Sequence, residues 1–290
     1  MGQFLTLGDV LGDPALRALV GRIRQLPARP RIFARLQVVL ANEAVVARDV
    51  AQIITADAVI TGKVLQLANS AFYRRTKPVS SIEQAVTNLG FNGVRNLVLC
   101  AEVFARWPSR SSGAVLNLEV LQEHSQRVAA VTHALAAGTS FTDDAVLAAL
   151  MHDIGYWVLL QDCPGELARV QELALSERIT LPEAEMRVLG ASHAELGAHL
   201  LALWELPPAV VEAVAHHHAP TRVAPRPYDV LAALAVGMAL SGTDDSDAFA
   251  GSPPRAIEVG PEYLAERGAP FSWGEAQQRA MRVQPSVGQA

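Results

Sequence analysis

The chain has 290 residues, half of them hydrophobic, and a formal net charge of −5 with acidic and basic residues mixed along its length. That content builds one large globular domain or two smaller ones, and the lack of a basic face argues against the counter-ion release on which nucleic-acid backbone binding depends. Cys100 and Cys163 are the only cysteines, with neither CxxC spacing nor a secretory leader, which fits a reducing cytoplasm. No membrane span is expected, because charge or His interrupts every apolar run before the roughly 20 residues that crossing a bilayer requires.

In chain order, residues 1–18 begin a helix-like apolar pattern (Leu11, Leu16, then Leu19 and Val20) that reads as a leader or connector helix. Helical spacing continues through Val45, Val46, Val50, Ile53 and Ile54, and again through Val59, Ile60, Val64, Leu65 and Leu67, with almost no alternation of period two. Asp49 and Asp57 are suited to cap short helices, and Ser80-Ser81-Ile82-Glu83-Gln84 resembles a capping box that opens another after Pro78. In the stretch "LQLANSAFY", Asn69 and Ser70 are placed to bond backbone groups where a helix ends. The pattern predicts an all-α chain of about a dozen short helices.

Two polar, turn-rich stretches divide it. "WPSRSSG" at 107–113 separates two helical lobes, and "SGTDDSDAFAGSPP" at 241–254 isolates a C-terminal stretch whose organised part is a short amphipathic helix from Trp273 to Val283. The first lobe has no His, and Cys100 is its only Cys, so it lacks a metal-ligand set and a nucleophile–base pair. Asp57 and Lys63 read as capping or solvated residues there.

The segments "LPARPRIFARL" from Leu26, "ITADAVITGKVLQLANSAFY" from Ile54 and "PVSSIEQAVTNLGFNGVRNLVL" from Pro78 resemble the HDOD family, bacterial signalling modules related to the HD-domain phosphohydrolases. The likeness runs in order over about residues 19–220. It implies an all-α, multi-helical HDOD fold in which an N-terminal lobe, 19–112, packs on an HD-like lobe, 113–220; a final helix of that lobe is expected in 221–245, and the polar break marks 246–290 as a C-terminal appendage. It also implies a regulatory setting, commonly as the output part of a response regulator. No receiver segment is visible, so the chain is either free-standing or cut from a longer protein.

The second lobe carries the chemistry: His124, the doublet His152-Asp153 within "LMHDIGYWVLL", His193, and His217-His218. Several imidazoles with one carboxylate suit a divalent transition ion such as iron, manganese or zinc. The resemblance implies that His124, His152 and Asp153 match the early positions of an HD site, and that His193 with His217, His218 or both completes a mono- or dinuclear centre. Neighbouring His152 and Asp153 can flank a metal lying between their directions, and Gly197, four residues after His193, lets another helix or a ligand approach that face. His133 and His199 point elsewhere by the same count, and His216 is read as a structural residue.

The site departs from the hydrolase pattern in three places. Met238 stands where a late Asp is expected, with Asp229 about two and a half helical turns earlier; Tyr156 follows "HDIG" where relatives carry Lys; and Ala219-Pro220 replaces the GYP extension of cyclic-dinucleotide phosphodiesterases. The favoured expectation is a regulatory module acting through protein contacts. The alternatives are a metal-dependent phosphohydrolase or nucleotide phosphodiesterase working through His152 and Asp153, and a module that senses a nucleotide without cleaving it.

Overall fold

The computed structural model describes residues 5–70, 78–106, 116–249 and 259–283. Sixteen α-helices and two short 3-10 turns account for its regular structure, with no strand among the described residues. The all-α expectation therefore holds, with more helices than the dozen the sequence suggested. The break at 107–113 and residues 71–73 of "LQLANSAFY" lie outside the described residues, as do 250–254 of the second break. The chain divides into two compact units, residues 28–108 and residues 1–27 with 109–290.

The first two helices group by contact with the later part of the chain. α1 (Leu7–Leu11) and α2 (Pro14–Arg22) belong to the larger unit. Asp13 caps α2 by accepting from the Ala15 and Leu16 amides, with Pro14 in the first turn, where a missing N–H costs nothing. The buried stripe of Leu16 and Leu19 needs cover, and the larger unit supplies it. Arg22 Nη2 donates to Leu189 O at 3.0 Å, and Trp204 Nε1 to Pro27 O at 3.0 Å.

The smaller unit holds α3 (Arg31–Leu40), α4 (Ala47–Thr55), α5 (Ala58–Ala68) and the long α6 (Ile82–Arg106), which packs along the other three. Its core is Phe33, Leu36, Val50, Ile54, Val64 and Leu97, each side chain contributing about 1.5–3 kcal/mol by leaving water. The caps fall where the sequence placed them: Asp57 Oδ1 accepts from the Val59 and Ile60 amides at 3.0 Å, and Asp49 Oδ2 from the Val46 amide at 3.0 Å. Ser81 Oγ accepts from the Gln84 amide at 3.2 Å while Gln84 Oε1 accepts from the Ser80 amide at 2.9 Å. Asn69 clamps two distant backbone stretches. Its Nδ2 donates to Leu65 O at 2.9 Å and Val79 O at 2.8 Å, and its Oδ1 accepts from the Val79 amide at 2.7 Å. Gly90, at φ 74°, interrupts α6 in a conformation only glycine adopts without strain.

In the larger unit α7 (Leu118–Ala136) lies beside α8 (Thr142–Met151), and α9 (Ile154–Asp162), α10 (Pro164–Glu177) and α11 (Leu181–Val188) follow. Then come α12 (His193–Leu203), α13 (Pro208–His216), α14 (Val230–Leu240), α15 (Pro261–Glu266) and α16 (Trp273–Val283). α9 crosses α12 so closely that a Cβ on Gly155 would sit 2.0 Å from His193 O, and one on Gly197 would sit 3.1 Å from Gly155 N. The approach to the face of His193 and Gly197 is thus made by a helix. In its described part the tail packs onto the helices that precede it. Tyr263, Leu264, Phe271, Ala276 and Ala280 form one core cluster with Val131 and Leu135 of α7 and Ala232, Ala235 and Val236 of α14. The polar run at 241–254 divides these residues in sequence without dividing them in space. No described helix is long and apolar enough to cross a membrane.

Candidate metal centre

All but one of the residues singled out for the site lie at helix ends. His124 is within α7; His152 closes α8 and Asp153 immediately precedes α9, so the doublet occupies a tight junction between two helices. His193 opens α12, and His217 and His218 follow the last turn of α13. The opening of α12 is fixed by a capping box: Ser192 Oγ accepts from the Glu195 amide at 3.3 Å, and Glu195 Oε2 from the Ser192 amide at 2.8 Å.

The fold brings all six residues together. Four imidazole Nε2 atoms surround the Asp153 carboxylate: His152 at 3.2 Å and His124 at 3.9 Å from Oδ2, His193 at 3.4 Å and His217 at 3.8 Å from Oδ1. His124 Nε2 lies 3.2 Å from His152 Nε2, and His218 Nε2 lies 2.8 Å from His193 Nε2. Two groups of ligand atoms result, His124–His152–Asp153 and His193–His217–His218, each within 4.8 Å of one another. His218 is partly exposed and the others are buried. His133 and His199 belong to neither group.

The outer nitrogens of four of the rings are held in place. His152 Nδ1 donates to Ala149 O at 2.8 Å and His217 Nδ1 to Val214 O at 2.7 Å. A carbonyl can only accept, so these rings carry hydrogen on Nδ1 and aim the Nε2 lone pair inward, as a metal-ligating imidazole does. His193 is held by Glu185, fully buried on α11, which accepts from the His193 amide at 2.8 Å and from Nδ1 at 2.8 and 2.9 Å. His124 Nδ1 meets Thr243 Oγ1 at 2.9 Å. Tyr156, also fully buried, stacks on the His193 ring with centroids 3.8 Å apart.

The electrostatics follow from this crowding. Burial opposes charge on Asp153, but His152, His193 and His124 outweigh it and hold the carboxyl well below the usual range. Burial likewise opposes charge on His193, yet Glu185 and Asp153 overcome it and push the imidazole up to about 10. Although Asp153 is buried, neither of its oxygens meets hydrogen-bond geometry with any group. A carboxylate without hydrogen bonds inside a ring of inward-aimed nitrogens is the donor set a divalent transition ion takes.

Met238 is buried on α14, and Asp229 supplies no ligand: it caps α14 through the Ala232 amide at 2.9 Å and pairs with Arg226. Glu185 and Thr243 went unrecognised in the sequence. Glu185 stands two residues after Glu183, which closes an ordinary capping box with Thr180, and nothing in their spacing separates the two roles.

An all-helical unit with a His–Asp cluster at its helix junctions has a defined family. The HDOD domain model matches residues 26–220, and the chain belongs to that family. Similar solved structures include an HDOD domain protein with unknown function from Geobacter sulfurreducens, 26% identical with a TM-score of 0.67, covering 96% of this chain and 90% of that one. Another is a Shewanella amazonensis SB2B protein named provisionally as a phosphohydrolase, 23% identical with a TM-score of 0.70, covering 94% of this chain and 96% of that one. A curated relative, an uncharacterized protein of Treponema pallidum (strain Nichols), is 25% identical over 209 residues, which are 69% of this chain but 39% of the relative. The chain thus matches well under half of that relative's length.

Proposed function

We propose that the chain is a regulatory module of a signal-transduction system, acting in the cytoplasm through contacts with a protein partner, and that its His–Asp cluster holds a divalent metal without turning over a substrate. One observation carries this reading: five imidazoles and one carboxylate converge, while the positions where a hydrolase would carry a cation and a further carboxylate are taken up by packing. Tyr156, in the place of the expected cation, lies flat on His193, and Met238, in the place of a closing carboxylate, is buried. His124, His152, Asp153, His193, His217 and His218 would hold the ion; iron, manganese and zinc all suit these donors. A bound divalent ion supplies Lewis-acid polarisation of a coordinated oxygen. In this reading the chain's own residues only orient: Glu185 fixes the His193 ring, the Ala149 and Val214 carbonyls fix His152 and His217, and Tyr156 excludes water from one face.

The second reading, a phosphohydrolase, is favoured by the division of the cluster. Asp153 presents Oδ2 to His152 and His124 and Oδ1 to His193 and His217, as a carboxylate shared by two metal positions would. Elemental analysis of protein purified without a chelator or polyhistidine tag, paired with turnover of bis(p-nitrophenyl) phosphate, separates the two. Stoichiometric metal that disappears in His152→Ala, with no turnover by the wild type, is the expected result. Turnover that disappears in His152→Ala overturns the regulatory reading.

A further inference from the structure

The smaller unit contains a cleft that the metal centre does not explain. It encloses about 660 Å³ between the start of α3, the end of α4, the start of α5 and the end of α6, within the roughly 300–1,000 Å³ range of small-molecule sites. Four arginines reach it, Arg29, Arg31, Arg35 and Arg106, in a chain whose net charge is −5. Two carboxylates also reach it, and both are committed to backbone. Asp57 accepts from the Val59 and Ile60 amides, while Glu102 accepts from the Ile32 amide at 3.1 Å and the Phe33 amide at 2.8 Å, doing for α3 what its cap residue Pro30 cannot.

Three of the four guanidinium groups are left over. Arg29 donates to Gln37 Oε1 at 3.4 Å, but Arg31, Arg35 and Arg106 have no hydrogen bond or ion pair among the described residues. Arg31 also occupies the first turn of α3, the end where the helix dipole disfavours cations, and Arg35 lies one turn further on. Grouping like charges there sets up mutual repulsion that water only partly screens. An anion in the cleft reverses both the repulsion and the dipole penalty. Guanidinium forks match phosphate oxygens two at a time. Apolar surface adjoins them: Ile53 and Ile60 are buried, whereas Val59 is 64% exposed.

We propose that this cleft binds a small ligand carrying at least two linked phosphates on an apolar or aromatic body, the chemistry of a nucleoside diphosphate. The arginines take the phosphates, and Val59 with Ile60 takes the body. The site is separate from the His–Asp cluster and does not depend on whether that cluster holds metal.

Calorimetric titration of the full chain at low ionic strength, with ADP, inorganic pyrophosphate and orthophosphate as probes, tests it. ADP is expected to bind more tightly than pyrophosphate, and pyrophosphate more tightly than orthophosphate. Arg35→Ala should weaken ADP about tenfold and Arg31→Ala/Arg35→Ala about a hundredfold, with Arg35→Lys in between because it keeps the charge and loses the fork. These side chains are exposed, so unchanged circular dichroism melting verifies the fold. His152→Ala should leave ADP affinity unchanged. The proposal fails if neither ADP nor pyrophosphate saturates by millimolar concentration, if binding survives the double arginine variant, or if it is lost in His152→Ala. Equal affinity for ADP and pyrophosphate overturns the role of Val59 and Ile60, and capture of an acidic peptide in place of both probes overturns the ligand class.

Discussion

The two units use polar side chains in opposite ways. In the smaller one Asn69, Asp57, Glu102 and the Ser81–Gln84 pair each turn onto backbone groups, closing helix ends that the chain would otherwise leave open. In the larger one the backbone and Glu185 hold the outer edges of the imidazoles so that the inner edges face one another around Asp153. The first arrangement is complete within the chain. The second concentrates lone pairs and one carboxylate at a single buried point, which protons or a cation must complete. Stability in the smaller unit should therefore be indifferent to metal and nearly indifferent to pH, and in the larger unit it should depend on both.

The sharpest way to break this comparison is Glu185→Ala. Removing one side of a fully buried charged pair typically costs about 3–5 kcal/mol, and hydrogen exchange read by mass spectrometry should show the loss in peptides of the larger unit and not in residues 28–108. Metal should act on the same unit in the opposite direction. Saturating a chelator-stripped sample at a hundredfold excess over Kd should add about 2.7 kcal/mol, seen as slower exchange around α8, α9, α12 and α13, with peptides of 28–108 unchanged. In the smaller unit Asn69→Ala removes the clamp and should cost roughly 1–3 kcal/mol, measured as a lower urea midpoint that metal does not restore. The smallest effect is Asp57→Ala, a lost helix cap of about 1 kcal/mol, with exchange quickening in α5 alone.

The pH dependence sharpens the contrast further. With His193 raised from 6.5 to about 10, the metal-free protein gains stability that is fully present below pH 6.5 and is lost as pH rises through about 10. A divalent ion must displace that proton, so metal uptake at neutral pH should release protons and tighten as pH rises across the same window. Calorimetry in buffers of different ionisation enthalpy counts the protons; uptake with none released, or tighter binding at lower pH, contradicts the assignment.

How much of this was legible depended on whether the signal was local. The helices of the smaller unit follow from periodicity and caps, and Asp57, Ser81 and Asn69 do there what their residue types suggest. His124, His152-Asp153, His193 and His217-His218, each in a short, recognisable context, lie together in space. Long-range pairings were illegible. Leu16 and Leu19 show that a helix needs cover and not which unit gives it, and the aromatic residues Tyr263 and Phe271 join α7 and α14 across a polar run that reads as a boundary. Glu185 and Thr243 reach the cluster only because α11 and the segment after α14 fold back onto it.

Gly155 bears on how variants of the "HDIG" motif are to be interpreted. Its hydrogen is all that fits between α9 and the carbonyl of His193, so any larger residue must push apart the two helices that set the position of that ring. A Gly155 variant that loses metal or signalling output would accordingly inform on the spacing of a joint rather than on chemistry. The contact constrains position 155 by space alone, independently of any chemistry at the neighbouring His152 and Asp153.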